Sequence, residues 1–569
     1  MATSSPTWTK LASLTDVPDG ESKAVRIGDT RSVALFNVDG RIHATDNQCP
    51  HMGYPLTRGT IRHGVLTCEW HGRNFDLEAG GCFNFECDDL ETFPAEVRGA
   101  DIWVELPEWE YLRKDEHMQL LQEGLLSEDR WTISKAIALL LKGGVSEDEV
   151  VALVLRHIGR HISTSHGSEG CEDVSRLVNG LNVGRRYDAE DRLIALSTAA
   201  CAVSGPAAKR HDVMPLPDPV SWEQIDRWVR VFSRDSQSGR IERCLFTGHG
   251  LGCADRILPL LLECAVEPRF LGFPDNITAL VFLSEAVDQF GWDQASELVF
   301  NLGAKLVGRG RGVPERFRRD AVELMAELKE AEGSGSGAYD EDAFAAALTS
   351  GSVERSFRAV ADALNSDAPL DRIITTLVML AADRMARTPV NVEAGWHELT
   401  TEMNLAASLR SVQRVAGDDV AAMGVYHVAW ELFAHRWVNI PHRALSEALP
   451  STGSDVTVDR VVESIRTLNV HGVGDEALSV LNGGASAEAL AHEVGRAILW
   501  DNTGSRIVPT LRTVVEEWSR ADGHPAQSQL LVGLVRYATD VRTNSDSGSS
   551  ATTAMRFAEG RTTVEVFDR

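Results

Sequence analysis

Two short strings constrain this chain more than any other feature: Cys49-Pro-His51 and, after 16 intervening residues, Cys68-Glu-Trp-His71. Each places one thiol and one imidazole a few residues apart, a spacing that a tight loop can turn toward one point. Four such donors from two loops read as a metal-centre donor set. Two assignments suit them. One is a Cys2His2 zinc site. The other is a binuclear iron–sulfur centre with two thiolates on one iron and two neutral imidazoles on the other, less negative and of higher potential than an all-cysteine cluster. Gly53, Pro55, Gly59 and Gly72 around the donors suit cluster loops better than the helix of a zinc finger.

The surrounding residues read as short β-strands. Ser32 to Val38 is a strand, Asp39-Gly40 is a hairpin turn, and Arg41 to Thr45 resumes the strand. Val65–Thr67 and Asn74–Leu77 flank another turn, Glu78 to Gly81 turns again, and Ile102–Glu105 closes the set. The expectation is a small antiparallel β module ending near residue 107.

At these residues the chain resembles a known family. Residues 31–106 are similar to the Rieske ferredoxin and ring-hydroxylating oxygenase family. The string Cys49-Pro-His-Met-Gly-Tyr-Pro-Leu-Thr-Arg-Gly59 resembles its first cluster loop, and Cys68-Glu-Trp-His-Gly-Arg-Asn-Phe-Asp-Leu77 its second. The resemblance implies a [2Fe–2S] cluster on Cys49, His51, Cys68 and His71, reduced by an external electron donor such as a reductase or ferredoxin. Glu69 stands where the family usually carries proline. The respiratory type has an extra cysteine in each loop; Tyr54 and Trp70 hold those places here, which implies the lower-potential ferredoxin or oxygenase type. Cys82 and Cys87 lie beyond the loops and read as bystanders.

After Leu106 the character changes. Pro107 to His117 reads as a charged linker or short helix. From about Ser127 to Thr543 the sequence is rich in Ala, Leu and Val with helical periodicity, and we expect 16 to 20 helices there. Asp129 to Lys142 is one, stopped by Gly143-Gly144, and Ser146-Glu-Asp-Glu caps the next, which runs to about His161. The fold class is therefore α+β and multidomain: a β domain at 1–107, an all-α region at 108–331 and 339–543 parted by the Gly/Ser string at 332–338, and a tail at 544–569 in which Thr562–Phe567 suits an edge strand. A weak echo would make the helical region repeat-like: Thr164-Ser-His-Gly167 and Thr247-Gly-His-Gly250 each precede a helix, and Trp396-His397 starts one.

The helical region is the place to seek a second metal. His157 and His161 stand at i and i+4 on one helix face. With His166 and His249 at expected helix starts, they form a candidate non-haem iron set. His397 joins them if the echo is real, and His427, His435 and His442 gather around another helix, with Glu431 four residues beyond His427. Each of these histidines taken alone reads more readily as a structural or surface residue. The oxygenase family carries an Asp three residues before the first of its iron-binding histidines; Val154 holds that place before His157, so the family's iron triad is not transferred.

Composition limits the rest. The net charge of −27 argues against nucleic acid or an anionic membrane as a partner. No stretch suits a membrane span and the amino terminus lacks a secretory pattern. Nine scattered cysteines are no disulfide framework and fit a reducing cytoplasm. Phosphate-loop and dinucleotide motifs are lacking. Two functions follow. In the first, the cluster feeds electrons to a non-haem iron site that oxygenates a small organic substrate, with catalytic residues unassigned. In the second, an electron carrier or redox sensor is fused to a helical interaction scaffold.

Overall fold

The structure is a computed structural model, and it describes residues 7–27, 31–84, 87–107, 114–161, 177–205, 212–308, 316–330, 338–389, 395–438, 443–450, 456–484, 486–501, 506–542 and 547–561. The amino-terminal strands are β1 (Thr7–Ser13), β2 (Ser22–Ile27), β3 (Arg31–Val38), β4 (Arg41–Asp46), β5 (Thr60–Arg62), β6 (Val65–Thr67), β7 (Asn74–Asp76), β8 (Thr92–Phe93), β9 (Ala95–Arg98) and β10 (Asp101–Leu106). They pair antiparallel in three sheets, ordered β1-β10-β9, β2-β3-β4-β8 and β5-β6-β7.

Strand β3 divides the core of this module. Successive side chains of a strand point to opposite faces, and here both faces are covered. Val33 and Leu35 pack with Ile42, Ile102 and Val104. Ala34 and Phe36 pack with Leu56, Leu66 and Phe75. The strand therefore reads as an unbroken apolar run rather than an alternating one. Asp39 and Gly40, at φ of 52° and 77°, make the turn into β4. Strands β1 and β2 are missing from the sequence expectation. They carry charged residues such as Lys10, Lys23 and Arg26 and bury little, so alternation does not reveal them.

Helices follow: α1 (Lys114–Ser127), α2 (Arg130–Lys142) and α3 (Glu147–His161). The Asp129 carboxylate caps α2 by accepting from the Trp131 amide at 3.0 Å, and Gly144 ends it at φ 83°. The Ser146 hydroxyl accepts from the Glu149 amide at the start of α3. The described residues hold 22 α-helices in all. The two helices expected at Asp129–Lys142 and up to about His161 appear within a residue of those ends. Thr247-Gly-His-Gly250, expected only before a helix, closes the helix Ser238–Gly250 before the next, Ala254–Ala265, opens. No described helix is long and apolar enough to cross a membrane.

Contacts divide the chain otherwise than at 107, 331, 339 and 543. One compact unit joins Met1–Gly124 and Asp129–Val150 with Gly548–Arg569; the other joins Leu125–Glu128 with Val151–Ser547. In the second unit, residues from either side of 332–338 pack together. The helix Trp396–Ala416 lies against Pro274–Phe290, and Arg512 pairs with Glu285 across the same boundary. The expected tail is in part a helix, Ser547–Ala558. Its Ser/Gly/Thr composition hides an apolar stripe, Ala551, Ala554 and Ala558, that is buried. The stretch Thr562–Phe567 and the connection at 332–337 lie outside the described residues, and so does Thr164-Ser-His-Gly167.

Candidate metal centre

The two donor strings occupy two loops of the same construction. The first, Cys49 to Tyr54, is closed by a bridge between Gln48 and Pro55. The second, Cys68 to Arg73, joins β6 to β7, which pair Thr67 with Asn74. In the first loop the Cys49 amide donates to the Tyr54 carbonyl at 2.9 Å and the Gly53 amide to the Cys49 carbonyl at 2.8 Å. In the second the Cys68 amide donates to the Arg73 carbonyl at 2.8 Å and the Gly72 amide to the Cys68 carbonyl at 3.0 Å. The turn works because the residue four beyond each cysteine is a glycine at positive φ, 78° for Gly53 and 65° for Gly72.

These turns face each other. The Nδ1 atoms of His51 and His71 stand 3.2 Å apart, with ring planes crossed at 86°. Two nitrogens each about 2.1 Å from one ion at a near-tetrahedral angle would stand about 3.4 Å apart. The two thiols are also neighbours, and both cysteines are buried in the Phe36, Leu66 and Phe75 core. His71 is exposed and His51 half-buried, so sulfurs point inward and imidazoles outward. Tyr54 and Trp70 hold the rims of the loops, 5.9 Å apart, and the Tyr54 hydroxyl donates to Glu69 at 3.2 Å.

Protonation suits a metal centre. Burial, with Arg73, His71 and Lys135 nearby, lowers His51 to about 4, and burial and Arg73 lower His71, so both imidazoles are neutral and able to bind metal. Contact with Cys68 works downward on the Cys49 thiol, but a hydrogen bond to Cys87 and burial leave it pushed up to about 12. The hydrogen bond to Cys49 and burial raise Cys68 as well. Thiols this reluctant to ionise need a bound cation to become thiolates. Among the described residues no three His, Cys, Asp or Glu side chains converge as one ion requires. The donors come two and two, an arrangement that suits a binuclear centre.

Sequence reasoning passed over several neighbours of these loops. Cys87 touches Cys49. Helix α2 reaches the first loop twice: the Trp131 indole donates to the His51 carbonyl at 2.6 Å, and the Lys135 ammonium donates to the Pro50 carbonyl at 3.0 Å. Gln48 donates to the carbonyls of Phe557 and Arg561, at 3.2 and 3.0 Å. Positions 131 and 135 stand at i and i+4, which aims both at one neighbour. That spacing was visible in the sequence, but the neighbour was not.

The other candidates scatter. His157 is buried on α3, while the side chain of His161 and all of His166 and His442 lie outside the described residues. His249, near the end of its helix, lies against Trp292 and Phe300. Phe300 belongs to a π-helical turn, Val299–Gly303, whose Asn301 amide approaches the Gly159 carbonyl of α3 at 3.4 Å. His397 is the second residue of its helix. His427 Nε2 meets the Val266 carbonyl at 3.1 Å, and Glu431 lies 3.8 Å from His435 instead.

Paired loops that bring two thiols and two imidazoles together suit a metal centre of mixed Cys/His ligation. Comparison with known proteins agrees. Residues 7–94 match the Rieske [2Fe-2S] domain. The "3-phenylpropionate/cinnamic acid dioxygenase ferredoxin subunit" of Shigella flexneri serotype 5b (strain 8401) is 36% identical over 95 residues, covering 16% of this chain and 88% of that protein. The protein so named in Escherichia coli (strain K12) matches equally. The solved Sphingomonas yanoikuyae B1 ferredoxin is 31% identical, over 18% of this chain and 99% of that one, with a TM-score of 0.17. The chain belongs to the Rieske [2Fe-2S] family through its amino-terminal domain, and the domain implies a [2Fe–2S] cluster. Nothing in these comparisons assigns the helical remainder.

Proposed function

We propose that this protein is a one-electron carrier in which Cys49, Cys68, His51 and His71 hold the [2Fe–2S] cluster. When bound, such a cluster supplies reversible one-electron transfer, at a potential of roughly −150 to +300 mV. The observation that carries the reading is the twofold loop with its imidazole nitrogens 3.2 Å apart above two buried thiols. The chain's own groups do the rest. The buried cysteines supply the negative charge, the neutral imidazoles keep that charge low, and the loop amides and carbonyls bond one another, which holds the donors in register. The exposed edge of His71 is the side from which an external reductase or ferredoxin can approach.

The finer reading passes these electrons to a non-haem iron site in the helical region, for oxygenation of a small organic substrate. Candidate ligands are His157, His161, His166 and His249. Its support is the π-helical turn Val299–Gly303, which lies against both the His249 ring and α3, since such turns are frequent at functional sites. The relatives named as a dioxygenase ferredoxin subunit support instead a carrier that serves a separate oxygenase. In either case we place the protein in the cytoplasm, as its nine scattered cysteines suit, with no nucleic acid or anionic membrane partner, as its net charge of −27 suits. Iron and acid-labile sulfide per chain test both readings. Two irons with two sulfides favour the carrier. Three or four irons with two sulfides favour the oxygenase. Fewer than two sulfides in protein purified without oxygen would sink both.

A further inference from the structure

Helix α2 and the C-terminal helix lie outside the residues that match the Rieske domain, yet both belong to the same compact unit and hold its first ligand loop. Lys135 is the charged member of that contact. Its ammonium donates to the carbonyl of Pro50, the residue between ligands Cys49 and His51, at 3.0 Å, and pairs with Asp88 at 2.6 Å. The two partners differ in surroundings: the Lys135 side chain is 9% exposed and that of Asp88 60%. Water screens the carboxylate and not the ammonium. The Phe557 ring lies 4.9 Å from the ammonium and meets the Trp131 indole edge-on at 6.2 Å, which closes the other side. The first loop therefore faces an under-compensated positive charge held in a dry place.

Resting on the carrier reading, we propose that Lys135 is a positioning residue that sets the reduction potential of the centre, with Asp88 as its counterweight and Phe557 as its cover. Reduction takes one electron from an external one-electron donor and adds one negative charge at the site, with no bond made or broken. A fixed cation beside the ligand loop favours that reduced state. The polypeptide beyond the cluster domain, including its far C-terminal helix, thus takes part in the electronic properties of the centre and not only in its folding.

The test uses the full chain, with potential read by EPR-monitored redox titration and loading read as iron and sulfide per chain. Lys135→Met, at full loading, is expected to lower the reduced-to-oxidised ratio at a fixed ambient potential about tenfold, a shift of about 59 mV. Lys135→Arg keeps the ratio within about twofold. Asp88→Asn raises it, by less, because its carboxylate is already screened. Opposite signs for the two neutralising changes mark an electrostatic role, whereas simple loosening of the loop moves both the same way. The proposal is overturned if Lys135→Met leaves the ratio unchanged, or if both variants shift it in one direction. If Lys135→Met holds no cluster, Asp88→Asn decides: a raised ratio supports the role and an unchanged one overturns it. A parent protein without two irons and two sulfides would instead remove the carrier reading.

Discussion

Glu431→Gln should flatten the pH dependence of stability in the helical unit. Glu431 lies on the helix Asp418–Ala434 and is 4% exposed. Burial raises its carboxyl to about 8; His435 and Arg318 pull it down, while Glu402 and Asp275 push it further up. An acid whose folded value exceeds the unfolded value of 4.5 holds a proton in the native state that the unfolded chain has released. Stability is then present at low pH and falls as pH rises through that interval. At about 1.36 kcal/mol per pH unit, the fall between pH 5 and pH 8 is on the order of 4 kcal/mol. His435 adds the same sign. Burial works against its charge, but the hydrogen bond and charge of Glu402 raise it overall, so its stabilisation is complete below 6.5 and lost above its folded value. Glutamine keeps the shape and is neutral at every pH. Urea midpoints followed by circular dichroism at pH 5.5 and pH 8 should show a large fall for the parent and a clearly smaller one for the variant. Equal falls would refute the reasoning, because they would mean that Glu431 is ionised in the native protein at both values.

Three further outcomes follow from named contacts. Arg384→Met strips the Glu402 carboxylate, 0% exposed, of the guanidinium bonded to it at 2.6 Å and leaves His435, at 3.4 Å, beside it; unfolding should become easier by about 3 kcal/mol, and adding Glu402→Gln should recover much of it. Gly72→Ala forces a side chain onto a φ of 65°, at about 1–2 kcal/mol. Space around that position is open, so the lowered cluster content measured as sulfide per chain should be restored in part by Gly72→Asn, which tolerates the left-handed region better. Phe36→Ala empties the wall behind both cysteines, and a loss of about 3–5 kcal/mol should appear as a lower melting temperature of the cluster absorbance.

The β module was legible where its residues report local geometry. Asp39-Gly40 marked its turn, Ser32 to Val38 read as a strand, and Cys49, His51, Cys68 and His71 marked the candidate centre. The helices at Arg130–Lys142 and Glu147–His161 were legible from the Gly143-Gly144 stop and the Ser146 cap that part them. The edge strands β1 and β2 were not, because an exposed charged strand owes its existence to the neighbour it pairs with. The helix Ser547–Ala558 was hidden for a like reason: Ser, Gly and Thr favour it little, and the burial of its alanine stripe supplies the rest.

The donor types and their spacing within each loop were legible in the sequence, since both are local and survive any placement of the loops. The sequence also determined the succession of a β module and a long helical region, because period-two and helical patterns are written residue by residue. Which distant residues attend the centre came from packing alone. Lys135 and Phe557 lie 85 and 509 positions beyond Pro50 and Gln48, their respective partners there. Neither carries a local mark of that task. A lysine on an apolar helix face and a phenylalanine in a Ser/Gly/Thr tail acquire their meaning when burial removes water from one charge and leaves it around the other.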